Sequence, residues 1–288
     1  MVIVRIFDGL GNQLFQYAYA RMLQEKNVEV YLDTKKTYED NFRKFKNHAK
    51  RENKLHYLNI KIPEASGKDI EKYSFLRQTG LKERLLYYLA IKGIGINKFW
   101  QAEKINEGIK ESNLKFGNVY LNGWFQNEEF FRNIRTQLLK ELRPKKKIKI
   151  NKQLRQLLQD DALIAVHIRR GDYTKINNTL PDIYYCGAFE IMKKKYTQPK
   201  YLFFSDDMNW VKEKYNNVSN SYFVTDYGSF DDYEELMIMS SCKSNIIANS
   251  TFSWWGAWLN QNPDKTVIAP KKWFYTQENI VPKDWIRV

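Results

Sequence analysis

The second half of the chain holds a set of short segments that are apolar almost from end to end. Residues 162–168 (ALIAVHI), 201–204 (YLFF), 222–224 (YFV), 245–248 (NIIA) and 266–269 (TVIA) are rich in β-branched and aromatic side chains and lack a two-residue alternation. A strand with one wet face alternates polar and apolar residues, whereas a strand covered on both faces does not. Helical segments fall between them, near 184–195, 209–215, 233–242 and 252–260. Buried strands alternating with helices predict a parallel sheet sandwiched by helices, with ligands bound at the carboxyl ends of the strands.

The first half opens the same way. Residues 2–6 read as a buried strand that ends at Asp8-Gly9-Leu10-Gly11. Asn12 suits a helix N-cap, and Leu14, Ala18 and Met22 follow at helical spacing before a second strand at 28–32. This is a β-α-β start of Rossmann type. From 34 to 115 the chain is Lys-rich, aromatic-rich and weakly periodic, with helices read near 67–76 and 81–91. A strand at 119–125 and an amphipathic helix at 128–142 follow, the latter carrying Phe131, Ile134, Leu138 and Leu142. Pro144 and the Lys-rich run 145–149 mark a domain boundary, giving an N-terminal domain over 1–150 and a C-terminal domain over 151–288. A chain of 288 residues suits two domains of about 150 residues each.

The formal charge of +14 and the pI near 9.4 favour polyanionic partners: nucleic acid, anionic lipid or a phosphorylated small molecule. A basic nucleic-acid-binding protein is one reading of that charge, but no recognition motif is present and adjacent arginines occur in a single strand-end loop. The run 145–149 is either a solvated linker or a membrane-surface contact. Cys186 and Cys242 form neither a disulfide framework nor a zinc spacing. The first residues lack the basic and apolar regions of a signal peptide. No apolar run approaches the roughly 18 residues that span a bilayer. The expectation is a cytoplasmic protein, peripheral to the inner membrane.

Five motifs sit at predicted strand ends or helix starts. His167-Ile168-Arg169-Arg170-Gly171-Asp172-Tyr173 follows a buried strand, and its two arginines offer planar forks of donors suited to a diphosphate. The alternative is a surface ion-pair cluster with Asp172. His167 is either a satisfied core histidine or a catalytic candidate. Asn249-Ser250-Thr251-Phe252-Ser253 opens a helix after another apolar strand, where free amides and the dipole attract anions. Capping by Ser250 or Thr251 is compatible with that use. Gly9-Leu10-Gly11-Asn12-Gln13 is a tight turn, with Leu14 where a dinucleotide fingerprint needs its last glycine. Asp206 and Asp207 suit an N-cap better than a metal, since no Asp-x-Asp occurs. Asp231-Asp232-Tyr233-Glu234-Glu235 is either a charged first turn or the source of a carboxylate for a guanine edge.

Together the segments GLGNQLFQYA, HIRRGDY and NSTFSWWGA, in this order and spacing, resemble the α-1,2-fucosyltransferases of glycosyltransferase family 11. The matching motifs run from Gly9 to Trp258. The resemblance implies a GT-B-like α/β fold, two Rossmann-like domains facing across a cleft, with the acceptor on the N-terminal side and the donor on the C-terminal side. It implies GDP-β-L-fucose as donor, inversion to an α-fucoside, a galactose-terminated oligosaccharide or lipid-linked glycan as acceptor, and no metal or other cofactor. Arg169 would contact the donor diphosphate, with Arg170 beside it. Asn12 would approach from the facing domain, flanked by Gly11 and Gln13. Asn249, Ser250, Thr251 and Ser253 would border the donor, and Glu235 would meet the guanine. Asp172 is the first candidate for general base, its alternative being a structural pair with Arg170. The chain departs from the family at Asp8, where a second glycine is usual. Another GDP-sugar donor is the alternative within the same fold.

Overall fold

In the computed structural model the described residues are 1–34, 52–76, 80–114, 117–273 and 280–288. They form two compact units, Met1–Lys145 and Lys146–Val288. Parts of the weakly periodic stretch 34–115 therefore lie outside the described residues.

The first unit contains, in order, β1 (Val2–Arg5), α1 (Leu10–Glu25), β2 (Val30–Asp33), α2 (Gly67–Glu71), α3 (Leu81–Ile91), β3 (Asn97–Gln101), β4 (Asn118–Asn122) and α4 (Arg135–Glu141). The four strands pair in the order β2-β1-β4-β3, all parallel. Central β1 is buried at every position, which is why its sequence carries no alternation. Edge strand β3 is only partly covered. Its sequence, Asn-Lys-Phe-Trp-Gln, has one buried residue and no apolar run, so it escaped the reading above.

Two other expectations change. The residue preceding α1 is Gly9, and Asn12 lies inside the first turn, its amide bonded to the Gly9 carbonyl at 2.9 Å. The segment 128–142 is not one helix. The Asn127 side chain accepts from the Glu129 amide and starts a 3-10 turn, a second such turn spans Arg132–Ile134, and only then does α4 begin. Phe131 breaks the spiral at φ −129° and ψ 8° between the two turns. α1 is fastened to α4 by Glu141, which accepts from Tyr17 at 2.5 Å and Arg21 at 3.0 Å.

The second unit contains α5 (Lys152–Leu157), β5 (Leu163–Ile168), α6 (Gly171–Lys175), α7 (Asp182–Lys195), β6 (Lys200–Ser205), α8 (Met208–Tyr215), β7 (Ser221–Phe223), α9 (Asp232–Ser240), β8 (Ser244–Ile246), α10 (Thr251–Leu259), β9 (Val267–Ala269) and β10 (Ile286–Arg287). Its strands run parallel in the order β10-β9-β8-β5-β6-β7. Alternate residues of β5 feed opposite faces. Ile164, Val166 and Ile168 pack with Tyr184, Tyr185 and Phe189 of α7, while Leu163 and Ala165 pack with Ile238 and Met239 of α9. α9 and α10 pack so closely that a Cβ at Gly256 would collide with Met239 Sδ. Trp254, Trp255 and Trp258 fill the interior side of α10, the first and last stacked with centroids 6.2 Å apart.

Both units are Rossmann-like and the fold class is α/β. From β5 the chain moves to β6 and β7 on one side, then returns to β8 on the other. That makes the gap between the carboxyl ends of β5 and β8 a topological switch point, where open parallel sheets bind ligands. No helix among the described residues is long and apolar enough to cross a membrane.

Candidate active site

The switch point of the second unit brings two of the motifs together, since β5 and β8 are hydrogen-bonded neighbours. Tyr173 closes the junction by donating its hydroxyl to the Asn249 carbonyl at 3.2 Å. On the β5 side Arg169 is held between two carboxylates, Asp172 Oδ1 at 2.6 Å and Asp206 Oδ2 at 3.1 Å. Its guanidinium lies 5.2 Å from the Tyr173 ring centroid. Its Nε is buried with no hydrogen-bond partner among the described residues. The group is fixed in place while retaining donor capacity.

The two arginines diverge. Arg170 turns toward α8, donating from Nε to Asp207 at 3.2 Å and stacking 3.5 Å from the Trp210 ring centroid. The structure therefore offers one guanidinium at the switch point rather than a two-arginine clamp. Asp172 pairs with Arg169 and not with Arg170, as the sequence alternative had it. The two acids after β6 also divide their work. Asp207 caps α8, and Asp206 accepts from the Arg170 backbone amide at 2.8 Å while pairing with Arg169. A Cβ at Gly171 would collide with that Asp206 carboxylate, so glycine here allows the β6 loop to approach the β5 loop. Asp206 is the site residue that sequence reasoning missed. Its partners are distant in sequence and only the pairing of β5 with β6 joins them.

His167 is buried, and burial, with Arg169 nearby, pushes its pKa down to about 3. It is a neutral imidazole, its ring 5.6 Å from that of Phe252, and Nδ1 has no partner among the described residues. A base this weak is a poor proton acceptor at neutral pH.

On the β8 side Ser250 precedes α10 but makes no side-chain cap. Ser250 and Thr251 border the amide end, and helix ends of this kind attract anions. Ser253 is fully buried, its hydroxyl within reach of the Ala248 and Ser250 carbonyls at 3.4 and 3.2 Å. It shapes the turn from within. Asn249 donates to the Asn178 carbonyl at 2.9 Å, and its buried Oδ1 has no partner among the described residues.

Glu235 lies in the first turn of α9, behind a capping box made by Asp231 and Glu234. Burial first, then repulsion from Asp232, raises its pKa to about 7. Its carboxyl therefore changes charge near neutrality. Among the described residues no group of three or more His, Cys, Asp or Glu side chains is arranged to hold a metal ion.

The glycine turn of the first unit is closed upon itself. Asp8 sits at φ +70°, the left-handed region that suits glycine. Its carboxylate compensates by accepting from the Gly9 amide at 3.0 Å and the Asn12 side chain at 2.9 Å. The aspartate thus offsets the cost of its own backbone conformation. Asn12 accepts in turn from Gln126 at 2.9 Å. Gln13 is fully buried, donating to the Asp8 and Glu52 carbonyls and accepting from the Lys54 amide. Gly11 is also buried. Gln13 thus ties the turn to the segment at 52–54.

The sequence and the fold both have known relatives. The chain is 31% identical to the O-antigen biosynthesis glycosyltransferase WbnK of Escherichia coli over 97% of this chain and 98% of that one. It is also 31% identical to an E. coli alpha-1,2-colitosyltransferase over 100% and 99% of the two chains. The fold is similar to that of an Arabidopsis thaliana FUT1 variant in complex with GDP, with a TM-score of 0.52 at 11% identity over 92% of this chain and 69% of that one. Residues 98–288 match the family described as Glycosyl transferase family 11. The chain belongs to glycosyltransferase family 11, on a GT-B-like α/β fold.

Proposed function

We propose that this glycosyltransferase moves L-fucose from GDP-β-L-fucose to the 2-hydroxyl of a galactoside, with inversion and without a metal, in the assembly of a surface glycan. The observation that carries the reading is Arg169, held at the switch point by Asp172 and Asp206 beside the uncapped end of α10. The donor domain in this reading is the C-terminal one.

In the reaction the bond between the fucose anomeric carbon and the β-phosphate oxygen breaks as the acceptor oxygen attacks from the opposite face. Negative charge grows on the departing GDP, and the sugar acquires oxocarbenium character. Arg169 and the amides at Ser250 and Thr251 meet that charge as it develops, which is where fixed donors lower a barrier most. Asp206 and Asp207 are engaged by Arg169 and Arg170, so in this reading they aim cations rather than gather a divalent ion. Asp172 is the proposed acceptor of the hydroxyl proton. Glu235 in its ionised form would accept two hydrogen bonds from a guanine edge.

A second reading has a specific support. The E. coli relative is named a colitosyltransferase, and colitose is fucose without its 3-hydroxyl. Transfer assays with GDP-fucose and GDP-colitose in parallel, with and without EDTA, separate these readings. Fucosyl transfer that survives EDTA is expected; turnover that vanishes with EDTA and returns with manganese would sink metal independence. A preference for GDP-colitose would move the donor assignment to that sugar. The acceptor in this reading is a galactose-terminated oligosaccharide or lipid-linked glycan, and peripheral contact with an anionic membrane belongs to it.

A further inference from the structure

Seven of the ten described large apolar side chains that stand open to solvent lie between residues 81 and 96. Leu81, Leu85 and Tyr88 recur at i, i+4 and i+7 and make one ridge along α3. Leu81 is 85% exposed and Leu85 is 58% exposed. The opposite side of α3 is what joins the sheet, through buried Ala90 and through Tyr87, whose ring lies 5.9 Å from Phe99. Past the helix, Gly93 and Gly95 adopt φ of +71° and +93° and turn the chain so that Ile94 and Ile96 also face water. An ordinary solvated helix carries polar residues on its outward face; this one is apolar there.

Cations flank the ridge. Lys82 and Arg84 are exposed beside Leu81 and Leu85, and Lys92 lies one turn beyond Tyr88, its Nζ 5.9 Å from that ring centroid. Among the described residues no carboxylate pairs with Lys82, Arg84 or Lys92. An apolar ridge edged by long basic side chains matches a bilayer interface, where the ridge enters the acyl boundary and the cations reach the phosphates. A second copy of the chain fits worse, because a two-fold pairing of this patch would set Lys82, Arg84 and Lys92 against their own counterparts.

We propose that α3 and the turn after it dock the protein on an anionic lipid surface. This deepens the membrane-contact part of the proposed function by naming the surface, and it places that contact on α3 rather than on the lysines at 145–149. It does not depend on the donor assignment.

Sedimentation with vesicles tests it without nucleotide or acceptor, so its failure is distinct from failure of the transfer reading. The protein is expected to pellet with phosphatidylglycerol-containing vesicles, weakly with pure phosphatidylcholine, and less at high salt. The double variants Leu85→Ser/Tyr88→Ser and Lys82→Glu/Arg84→Glu are each expected to lower vesicle affinity by at least about tenfold. Both change exposed side chains, and circular dichroism with turnover of a soluble acceptor checks that the fold is intact. Neutralising Lys145, Lys146, Lys147 and Lys149 is expected to change affinity less. Unchanged affinity in both α3 variants overturns the proposal, as does a loss confined to the 145–149 variant. So does a wild-type dimer that Leu85→Ser/Tyr88→Ser converts to monomer.

Discussion

The glycine-bearing turns after β1 and β5 do opposite things. In the first unit, Asp8, Asn12, Gln13 and Gln126 satisfy one another, and the network closes. In the second, the end of β5 and the loops after β5 and β8 leave buried polar atoms of His167, Arg169, Asn178 and Asn249 without partners among the described residues. A buried polar atom without a partner costs about 1–3 kcal/mol, and four such atoms gather around these loops. A closed network measures stability; an open one measures function.

The largest effect is expected at the open site. Arg169→Ala should lower kcat/KM by about 10²–10³, or about 3–4 kcal/mol. Arg169→Lys should recover little, because the planar fork is lost. Thermal stability should fall far less than turnover, because the Asp172 and Asp206 carboxylates that lose Arg169 are partly open to water. Near-normal turnover of the alanine variant would remove the second unit's loop from the mechanism.

At the closed network the balance should reverse. Gln13→Ala leaves the Asp8 and Glu52 carbonyls and the Lys54 amide short of partners, so a loss of about 2–3 kcal/mol of stability is expected by denaturant titration. Turnover per folded molecule should stay within about twofold. A large fall in kcat at unchanged stability would place Gln13 at the donor and erase the contrast.

Glu235 supplies a pH test of intermediate size. Its pKa near 7 lies above the ordinary carboxyl value because burial disfavours the charge. If the ionised carboxylate holds guanine, GDP affinity is low below that pKa and reaches its plateau above it. Affinity should therefore rise about tenfold from pH 6 to pH 8, measured by calorimetry. Glu235→Gln should flatten that rise, and a pH profile identical to wild type would detach Glu235 from the nucleotide.

The smallest change is expected at Asp8. Glycine there relieves a left-handed backbone cost of about 1–2 kcal/mol. It also loses the hydrogen bonds to Gly9 and Asn12, worth about 1 kcal/mol each, so the net shift should stay within about 1 kcal/mol. A larger loss in Asp8→Gly would mean that the carboxylate does more than offset its own backbone.

The pattern of what was legible in the sequence has a physical basis. Strands β5 and β6 announce themselves because burial on both faces leaves apolar residues through their centres. β3 does not, because an edge strand keeps polar residues, and the two-residue β10 is too short to carry a pattern. The switch point could be inferred from strand-helix alternation, and with it the region of Arg169 and Ser250. Which atoms point where could not. The division of labour between Asp206 and Asp207, the divergence of Arg169 from Arg170, and the inward turn of Ser253 are set by neighbours distant in sequence. The beginning of α1 was misread for a related reason. A glycine can open a helix with no side-chain signal, and Asn12, a residue that favours caps, had been recruited by Asp8.

The indole array along α10 makes this protein its own optical probe. Three of its eight tryptophans sit in that helix, with the first only three residues past Thr251, and they are packed against one another in a dry interior. Their emission should be blue-shifted and their near-ultraviolet dichroism strong. A ligand that settles at the helix entrance and disturbs that packing can be followed by titration of the intrinsic emission, with no dye attached to a surface that has other work to do.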